Sequence, residues 1–579
     1  MKLENQVYDA GHYFQMCQSV SEDSNSDSMD GSISWQVIVI HPDGIKMDDP
    51  NNIFIIDHAW TYRAAEAKSA LEECEGLLER MCNLMNIKSE GVENNVLIRE
   101  VLKEMWKYNG TYSMTLGAGS VEKSNIWYVM DEFGSRIQHD GEPNFRVIPF
   151  FYQPHKCCYS LLFPVKDASE GDEVTRNYVE SPPVDEVTRD AQMLPWFPED
   201  LSDLDLRQEE PPVHFFVDGR LPELLADSPI NVTPLPSDKK IKVYTDYEYI
   251  KTCLTDSRYE ITDHCDEADI IWMATHFNKF RWLAESPQKR VSQFPFESVV
   301  TIKDLLAVVS RRCAPEDPEE ATWVLPSFCL KRELPQFVAS FQRREKCGLD
   351  NTWIVKPWNL ARGMDHTITN NLNHILRLPS TGPKIAQKYL QRPVLFHRED
   401  IDAKVKFDLR FIVLLMSVKP LKVGVYKNFW IRFANKGFEL NDFEDTEKHF
   451  TVNNYNDSFL LQMFCDDFVR KFEHQYPSQP WNEVRDKIYS MVKQLFEGAT
   501  KFDEPRGIAH NPQSRSSYGL DLMINWEKDE TGVERMQPKL LEVNFNPDCK
   551  RACEYYPAFF NDLFNVMFLD KECDTVQIL

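Results

Sequence analysis

Two carboxylates and an amide stand in a pattern that suits a cation. The run Leu540-Leu541-Glu542-Val543-Asn544-Phe545-Asn546-Pro547 reads as a short buried strand that runs into a turn. Side chains alternate along a strand, so Glu542 and Asn544 share one face while Leu541 and Val543 share the other. Asp521 lies in an earlier strand-like run, Ser517-Tyr518-Gly519-Leu520-Asp521-Leu522-Met523-Ile524, where it points opposite Leu520 and Leu522. An antiparallel pairing of the two runs would bring Asp521 beside Glu542 and Asn544. Such oxygen donors suit Mg²⁺, which keeps several waters and binds through one or two carboxylates plus substrate phosphates. On these residues alone, a polar strand face that is simply solvated is the alternative.

Three further stretches carry charge in a useful place. In Trp353-Ile354-Val355-Lys356-Pro357 a strand ends in a lysine and enters a loop containing Gly363. A lysine there can neutralise phosphates and a glycine loop can close over them. In Ile385-Ala386-Gln387-Lys388-Tyr389-Leu390 the backbone of a hinge strand can meet an adenine edge. In residues 404–415, Lys406, Asp408 and Arg410 fall on one strand face and Phe407, Leu409 and Phe411 on the other. Arg432 sits on a fourth strand, Trp430-Ile431-Arg432-Phe433. Each stretch alone also fits a surface lysine beside a turn, a plain strand, or a solvated edge.

The elements that must hold these groups follow from hydrophobic spacing. An α/β pattern starts at Ile241-Lys242-Val243-Tyr244-Thr245-Asp246, and residues 268–273 read as a buried strand. In the first half, a strand covers residues 35–40, and helical spacing predicts helices over 64–85 and 96–108. Residues 21–32 are polar and low in complexity, the composition of a disordered loop. The stretch 182–236 is rich in Pro, Asp and Glu and reads as a linker with a short helix.

A chain of 579 residues needs two to four domains, and 42% hydrophobic residues can fill their cores. The net charge of −26 is uneven: residues 1–240 hold 42 acidic and 20 basic side chains, the remainder 49 and 45. That acidic half argues against nucleic-acid binding, which needs a basic patch, and favours basic partners or simple solubility. No apolar run reaches the roughly 18 residues of a membrane span. The opening residues lack the basic-then-hydrophobic order of a signal peptide. Fourteen scattered cysteines without a CxxC pair fit reduced thiols in the cytosol.

Two resemblances organise these pieces. Residues 126–144 contain Arg136-Ile137-Gln138-His139-Asp140 and Pro143-Asn144, followed later by Gly171-Asp172-Glu173-Val174-Thr175 and Tyr178. This resembles the C-terminal half of a SET methyltransferase domain, which carries Arg-Phe-Ile-Asn-His-Ser, Pro-Asn, Gly-Glu-Glu-Leu-Thr and a Tyr. Gln138 and Asp140 stand where that family has the Asn and Ser of its methyl-donor site, and its zinc cysteines are missing. The expectation is a SET-like fold without methyl transfer.

Over residues 240–579, the lysine-to-loop stretch, Gln387-Lys388-Tyr389, Lys406-Phe407-Asp408-Leu409-Arg410, Arg432-Phe433, and Leu541-Glu542-Val543-Asn544 with Asp521 upstream occur in order. They resemble the tubulin–tyrosine ligase family, a branch of the ATP-grasp ligases. The resemblance implies an α/β and α+β multidomain chain, with a β-rich SET-like domain over 1–180, an acidic linker over 181–236 and an ATP-grasp domain over 237–579. It implies ATP and Mg²⁺ as cofactors. Lys356 and Lys406 would hold phosphates, and Gln387, Lys388, Tyr389 and Leu390 would frame the adenine. Asp408 would bind the ribose or orient Lys406. Asp521, Glu542 and Asn544 would bind Mg²⁺, and Arg410 and Arg432 the amino-acid or tail carboxylate. The implied partners are tubulin or microtubules, with histone tails as a further candidate, and neither nucleic acid nor membrane. The implied location is the cytoplasm, with the cytoskeleton, centrosome and nucleus as further places.

The departures from that family set the functional expectation. Its loop usually reads Arg-Gly-x-Gly-Ile, whereas this chain has Arg362-Gly363-Met364-Asp365-His366. Trp358 and Asn359 follow Lys356 where smaller residues are usual. The family's His-Leu-Thr-Asn becomes His449-Phe450-Thr451-Val452, with Asn453 one place late. The leading expectation is an ATP-binding modulator of tubulin modification with weak or absent catalysis. An active ATP-dependent carboxylate–amine ligase and an acidic scaffold for basic partners are the alternatives.

Overall fold

The computed structural model describes residues 2–21, 32–115, 123–180, 184–314, 322–358, 365–451, 461–529 and 531–579. The expected disordered loop therefore lies outside the described residues, apart from its flanking Ser21 and Ser32. The chain divides into two compact units. The first comprises residues 1–206, 330–350 and 370–383, and the second residues 207–329, 351–369 and 384–579.

The first unit is built from small antiparallel sheets. Phe14–Ser21 pairs with Ser32–Val39. Cys157–Pro164 lies between Phe54–Ile56 and Phe145–Tyr152, and Lys123–Met130 between His58–Tyr62 and Asn109–Thr115. A short parallel pair joins Gln138–His139 to Thr175–Arg176. Alternate residues of these strands, among them Phe14, Val37, Phe54, Phe145 and Leu162, close one core. The single helix predicted over 64–85 is broken into Ala67–Glu73 and Leu77–Leu84. Gly76 lies at the break with φ 77°, a left-handed conformation that glycine accepts at little cost and a helix does not continue through.

The second unit begins with a parallel four-stranded sheet, in which Ile241–Thr245 lies between Tyr259–Thr262 and Ile270–Trp272, and Arg290–Val291 pairs beyond. Two antiparallel sheets follow. The smaller orders Ser327–Cys329, β2 (Lys384–Lys388), β1 (Trp353–Pro357) and Thr367–Thr369. The larger is centred on β3 (Phe407–Ser417), flanked by β4 (Trp430–Phe433) and β5 (Ser516–Lys528), with β6 (Glu534–Phe545) outside β5. Helix α1 spans Lys303–Arg311.

The sequence of β3 explains its central place. Phe407, Leu409, Phe411, Val413 and Leu415 enter one core with Phe468, Ile488, Met491 and Leu495 from helices Cys465–Gln475 and Trp481–Ala499. On the opposite face, Ile412, Leu414 and Met416 enter a second core with Phe559, Phe560 and Phe564. That same face begins with Asp408 and Arg410. The apolar layer thus stops where the charged pair starts, and a polar patch rests on a strand anchored from both sides. Burying each of these large side chains is worth about 1.5–3 kcal/mol, so the patch has a stiff floor.

Candidate nucleotide and metal site

Antiparallel register lines up the charged residues across four strands. Arg432 on β4 faces Asp408 on β3, Arg410 on β3 faces Asp521 on β5, and Asp521 faces Glu542 on β6. Asn544 faces Gly519, and its Nδ2 donates to Asp521 Oδ2 at 3.1 Å. Asp521, Glu542 and Asn544 therefore meet, as the alternation of the two runs predicted. Gly519 is needed beneath them, because a Cβ there would lie 2.8 Å from Pro547 Cβ.

The carboxylates are already bonded. Arg410 clamps Asp521 through two 2.7 Å hydrogen bonds. Arg432 holds Asp408 at 2.7 and 2.9 Å and also reaches Asp521 Oδ2 at 2.9 Å. Thr451 donates its hydroxyl to Asp408. Burial alone would raise the Asp521 pKa, but Arg432 and Arg410 outweigh it and hold the group well below the carboxylate range. Glu542 is less engaged: Oε2 meets Lys303 at 3.3 Å. Its other oxygen and Asn544 Oδ1 have no partner among the described residues. Among those residues no group of three or more His, Cys, Asp or Glu side chains is placed to hold a metal ion. The cation set is thus two carboxylates and an amide, which fits Mg²⁺ when substrate phosphates and water complete its shell.

Lys356 and Lys406 are both buried. Lys356 Nζ donates to Gln387 Oε1 at 2.7 Å. Burial lowers its pKa to about 8, with Lys303 adding to the effect and Glu542 and Asp521 opposing it. Lys406 Nζ donates to the Tyr389 hydroxyl at 2.9 Å. Its pKa falls to about 7, chiefly through burial; Asp408 opposes the fall and Lys356 adds to it. The Tyr389 hydroxyl also meets His449 Nδ1 at 2.9 Å, and His449 Nε2 lies 2.9 Å from the Asn441 carbonyl. Phosphate oxygens would supply the negative charge these buried amines lack.

The hinge segment divides in its contacts. The amides of Lys388 and Tyr389 donate to the carbonyls of Pro326 and Thr352, and Lys388 Nζ turns to the Thr352 carbonyl at 2.7 Å. The Leu390 amide has no acceptor among the described residues. The Leu390 side chain joins Leu325 and Met523 in an apolar patch with Leu541 packed against it. A flat base fits such a patch, with the free amide at its edge.

The family model described as "Tubulin-tyrosine ligase family" matches residues 282–577. A tubulin–tyrosine ligase-like protein 12 from Mus musculus is 43% identical over all of this chain and 92% of its own length. The one from Homo sapiens is 44% identical over 98% of this chain and 90% of its own length. This chain belongs to the tubulin–tyrosine ligase family. It carries that family's SET-like module as well: residues 25–200 match the model described as "Tubulin tyrosine ligase SET-like domain". The expected order, a SET-like domain followed by an ATP-grasp ligase domain, holds. A more distant relative from Mus musculus, described as a probable tubulin polyglutamylase, is 24% identical over 53% of this chain and 56% of its own length.

The departures from the tubulin–tyrosine ligase family pattern fall partly outside the described residues, which omit residues 359–364 and Val452 and Asn453. Asp365 is described, and it adopts φ 56°. Asp365 stands where the family pattern has its second glycine, in the left-handed backbone region that favours glycine. Asp365 forms an ion pair with Lys384 Nζ. Next to it, the buried Nε2 of His366 has no hydrogen-bond partner among the described residues. Burial, with Lys356, Lys303 and Lys384 nearby, pushes its pKa well below the usual value. Lys303 and Lys384 join the site without a signal in the sequence. They lie on α1 and at the start of β2 with no local pattern to mark them, and only the packing of the second unit brings them to the site.

Proposed function

We propose that this chain is an ATP-binding protein that regulates the post-translational modification of tubulin tails, acting as a weak or non-catalytic modulator. What supports this reading is Lys356 in the field of Glu542 and Asp521, Lys406 in the field of Asp408 and Lys356, and Asp521 paired with Glu542 and bonded to Asn544, with Asp365, paired to Lys384, standing where the family pattern has a glycine. Lys356 and Lys406 would neutralise phosphate oxygens, and Leu390 with Met523 would seat the base. Asp521, Glu542 and Asn544 would hold Mg²⁺, which would supply positive charge against the phosphate oxygens. Arg410 and Arg432 would turn toward a carboxylate only by loosening their hold on Asp521 and Asp408. Asp365 places a negative charge near the position of the phosphates and occupies one of the cations there, which opposes productive loop closure.

Tubulin is the partner favoured by the named relatives, one of which is described as a probable tubulin polyglutamylase. Basic histone tails are a further candidate, because residues 1–240 carry 42 acidic against 20 basic side chains. The cytoplasm is the proposed location. The test is to mix purified protein with tubulin, Mg²⁺, ATP and labelled Tyr, Glu or Gly, and to measure nucleotide binding alongside. The modulator reading expects nucleotide binding without label transfer above a Glu542→Gln control. Transfer above that control establishes the active ligase instead, a second reading favoured by the cation set. Absence of nucleotide binding by the intact protein ends both.

A further inference from the structure

Arg220 lies outside both regions that the family models match, yet it reaches the wall of the nucleotide site. It belongs to the second unit, as do all the residues it meets. Three neighbouring side chains pack its segment there. Glu210 pairs with Arg312 just beyond α1. Phe216 enters the core that takes Leu305, Leu306 and Val309 of α1. Glu223 accepts the Phe296 amide at 2.6 Å and meets His276 at 3.2 Å.

The Arg220 guanidinium joins two elements. Its Nη2 donates to both carboxylate oxygens of Asp304 at 3.1 Å, and the two side chains are only 9% and 10% exposed. Its central carbon lies 5.0 Å over the Trp358 ring. Asp304 stands in the first turn of α1, where Oδ1 also accepts the Leu305 amide at 2.8 Å. Trp358 directly follows β1, and its carbonyl accepts the Lys303 amide at 3.4 Å. Lys303 in turn places Nζ 3.3 Å from Glu542 Oε2. Lys303 and Leu306 of α1 line one cavity with Lys356, Gln387 and Leu541.

Neutralising Asp304 asks only for a cation. A guanidinium adds a flat face that stacks on an indole, an attraction that grows where water is excluded. Trp358 is half-buried and stands two residues past Lys356, where the family pattern has smaller residues. Arg220 therefore ties the exit of β1 to the start of α1, the two elements that carry Lys356 and Lys303. We propose that Arg220 is a positioning residue of the nucleotide site, holding Lys303 on Glu542 through Asp304 and Trp358. This rests on the nucleotide reading of that site. An ammonium already held beside Lys356 meets phosphate at a lower ordering cost than a mobile one.

The test compares the full chain with two variants. Arg220→Lys keeps a charge facing Asp304 and loses the flat face, whereas Trp358→Leu leaves the Arg220–Asp304 pair intact. Labelling by acetic anhydride without nucleotide, read by mass spectrometry, reports on Lys303. Its labelling should be about threefold or more faster in both variants, with buried Lys539 unchanged. Faster labelling of Lys539 as well marks general loosening and counts against the proposal. Calorimetry of ATP with Mg²⁺ reads the consequence. Kd should rise about fivefold in both variants, and the rise should vanish in a Lys303→Gln background. A merely structural clasp weakens binding by the same factor in both backgrounds, and that result overturns the proposal. So does a Lys303 labelling rate or a Kd that neither variant changes. Wild-type protein that binds no nucleotide ends the nucleotide reading; faster Lys303 labelling then still supports its placement by Arg220, and unchanged labelling refutes it.

Discussion

Arg410 and Asp521 face each other across antiparallel strands and share two 2.7 Å hydrogen bonds. This pair is structural before it is anything else. Asp521→Asn would leave Arg410 and Arg432 buried with too little negative charge, at a cost of about 3–5 kcal/mol. Glu542→Gln breaks only the 3.3 Å contact with Lys303, and should cost about 1 kcal/mol or less. Chemical denaturation of the two variants checks the contrast. Glu542→Gln is therefore the substitution that tests cation binding, and it should weaken nucleotide binding in Mg²⁺ without weakening it in EDTA. Equal destabilisation by both variants would contradict this division of roles.

Lys406 should make nucleotide binding depend on pH. With its pKa lowered to about 7, the amine is largely neutral at pH 8 in the free protein. Phosphate oxygens favour the ammonium form, so binding draws in a proton above pH 7. Affinity should fall from pH 7 to pH 9, by up to about tenfold per unit. Calorimetry at pH 8 in two buffers of different ionisation enthalpy measures the uptake directly. Lys406→Met should abolish it, and wild-type binding without proton uptake would contradict the assignment.

Much of this site was legible in the sequence because strand alternation is a local rule. Glu542 and Asn544 had to share a face, and pairing the two runs brought in Asp521. What stayed hidden were the partners across strands. Arg410 and Arg432, expected to face a substrate carboxylate, are bonded to Asp521 and Asp408, and only the register of three strands reveals that. Lys303 and Lys384 were hidden for a related reason. Each is an ordinary lysine in its own element, and tertiary packing alone brings it to the cluster. The break at Gly76 shows the converse limit, where hydrophobic spacing runs through a turn that one glycine imposes.

Glu297 should give the protein a pH-dependent stability. Its carboxylate accepts hydrogen bonds from the Phe294 amide, Tyr518 and Ser516 at 2.8–3.1 Å, yet Oε1 has no hydrogen-bond partner among the described residues. Burial outweighs those bonds and raises its pKa from 4.5 to about 7. The native state therefore binds this proton more tightly than the unfolded chain does. Stability from this group is fully present below pH 4.5 and is lost as pH rises through 7, by up to about 3 kcal/mol. Glu297→Gln keeps an acceptor and removes the titration. Denaturation at pH 5 and pH 7.5 should show a smaller loss for the variant than for the wild type, and equal losses would refute the role.

Asp365 offers the sharpest test of why catalysis would be weak. It occupies φ 56°, where a non-glycine residue is strained by about 1 kcal/mol, and its carboxylate is paired with Lys384. Asp365→Gly removes the strain and the negative charge together, and releases Lys384 from that pair. Loss of one like charge near the phosphates should tighten ATP binding by about threefold to tenfold at low salt, and less at high salt. Asp365→Asn separates the causes, since it removes the charge and keeps a side chain at the same φ. If charge is what opposes nucleotide, the two variants gain affinity alike; if backbone freedom matters more, only the glycine variant does. Label transfer to tubulin that rises in Asp365→Gly and is lost again on adding Glu542→Gln would place the block at this loop. Unchanged nucleotide affinity in both variants would show that Asp365 does not oppose binding, and the cause of weak catalysis would then have to lie elsewhere in the site.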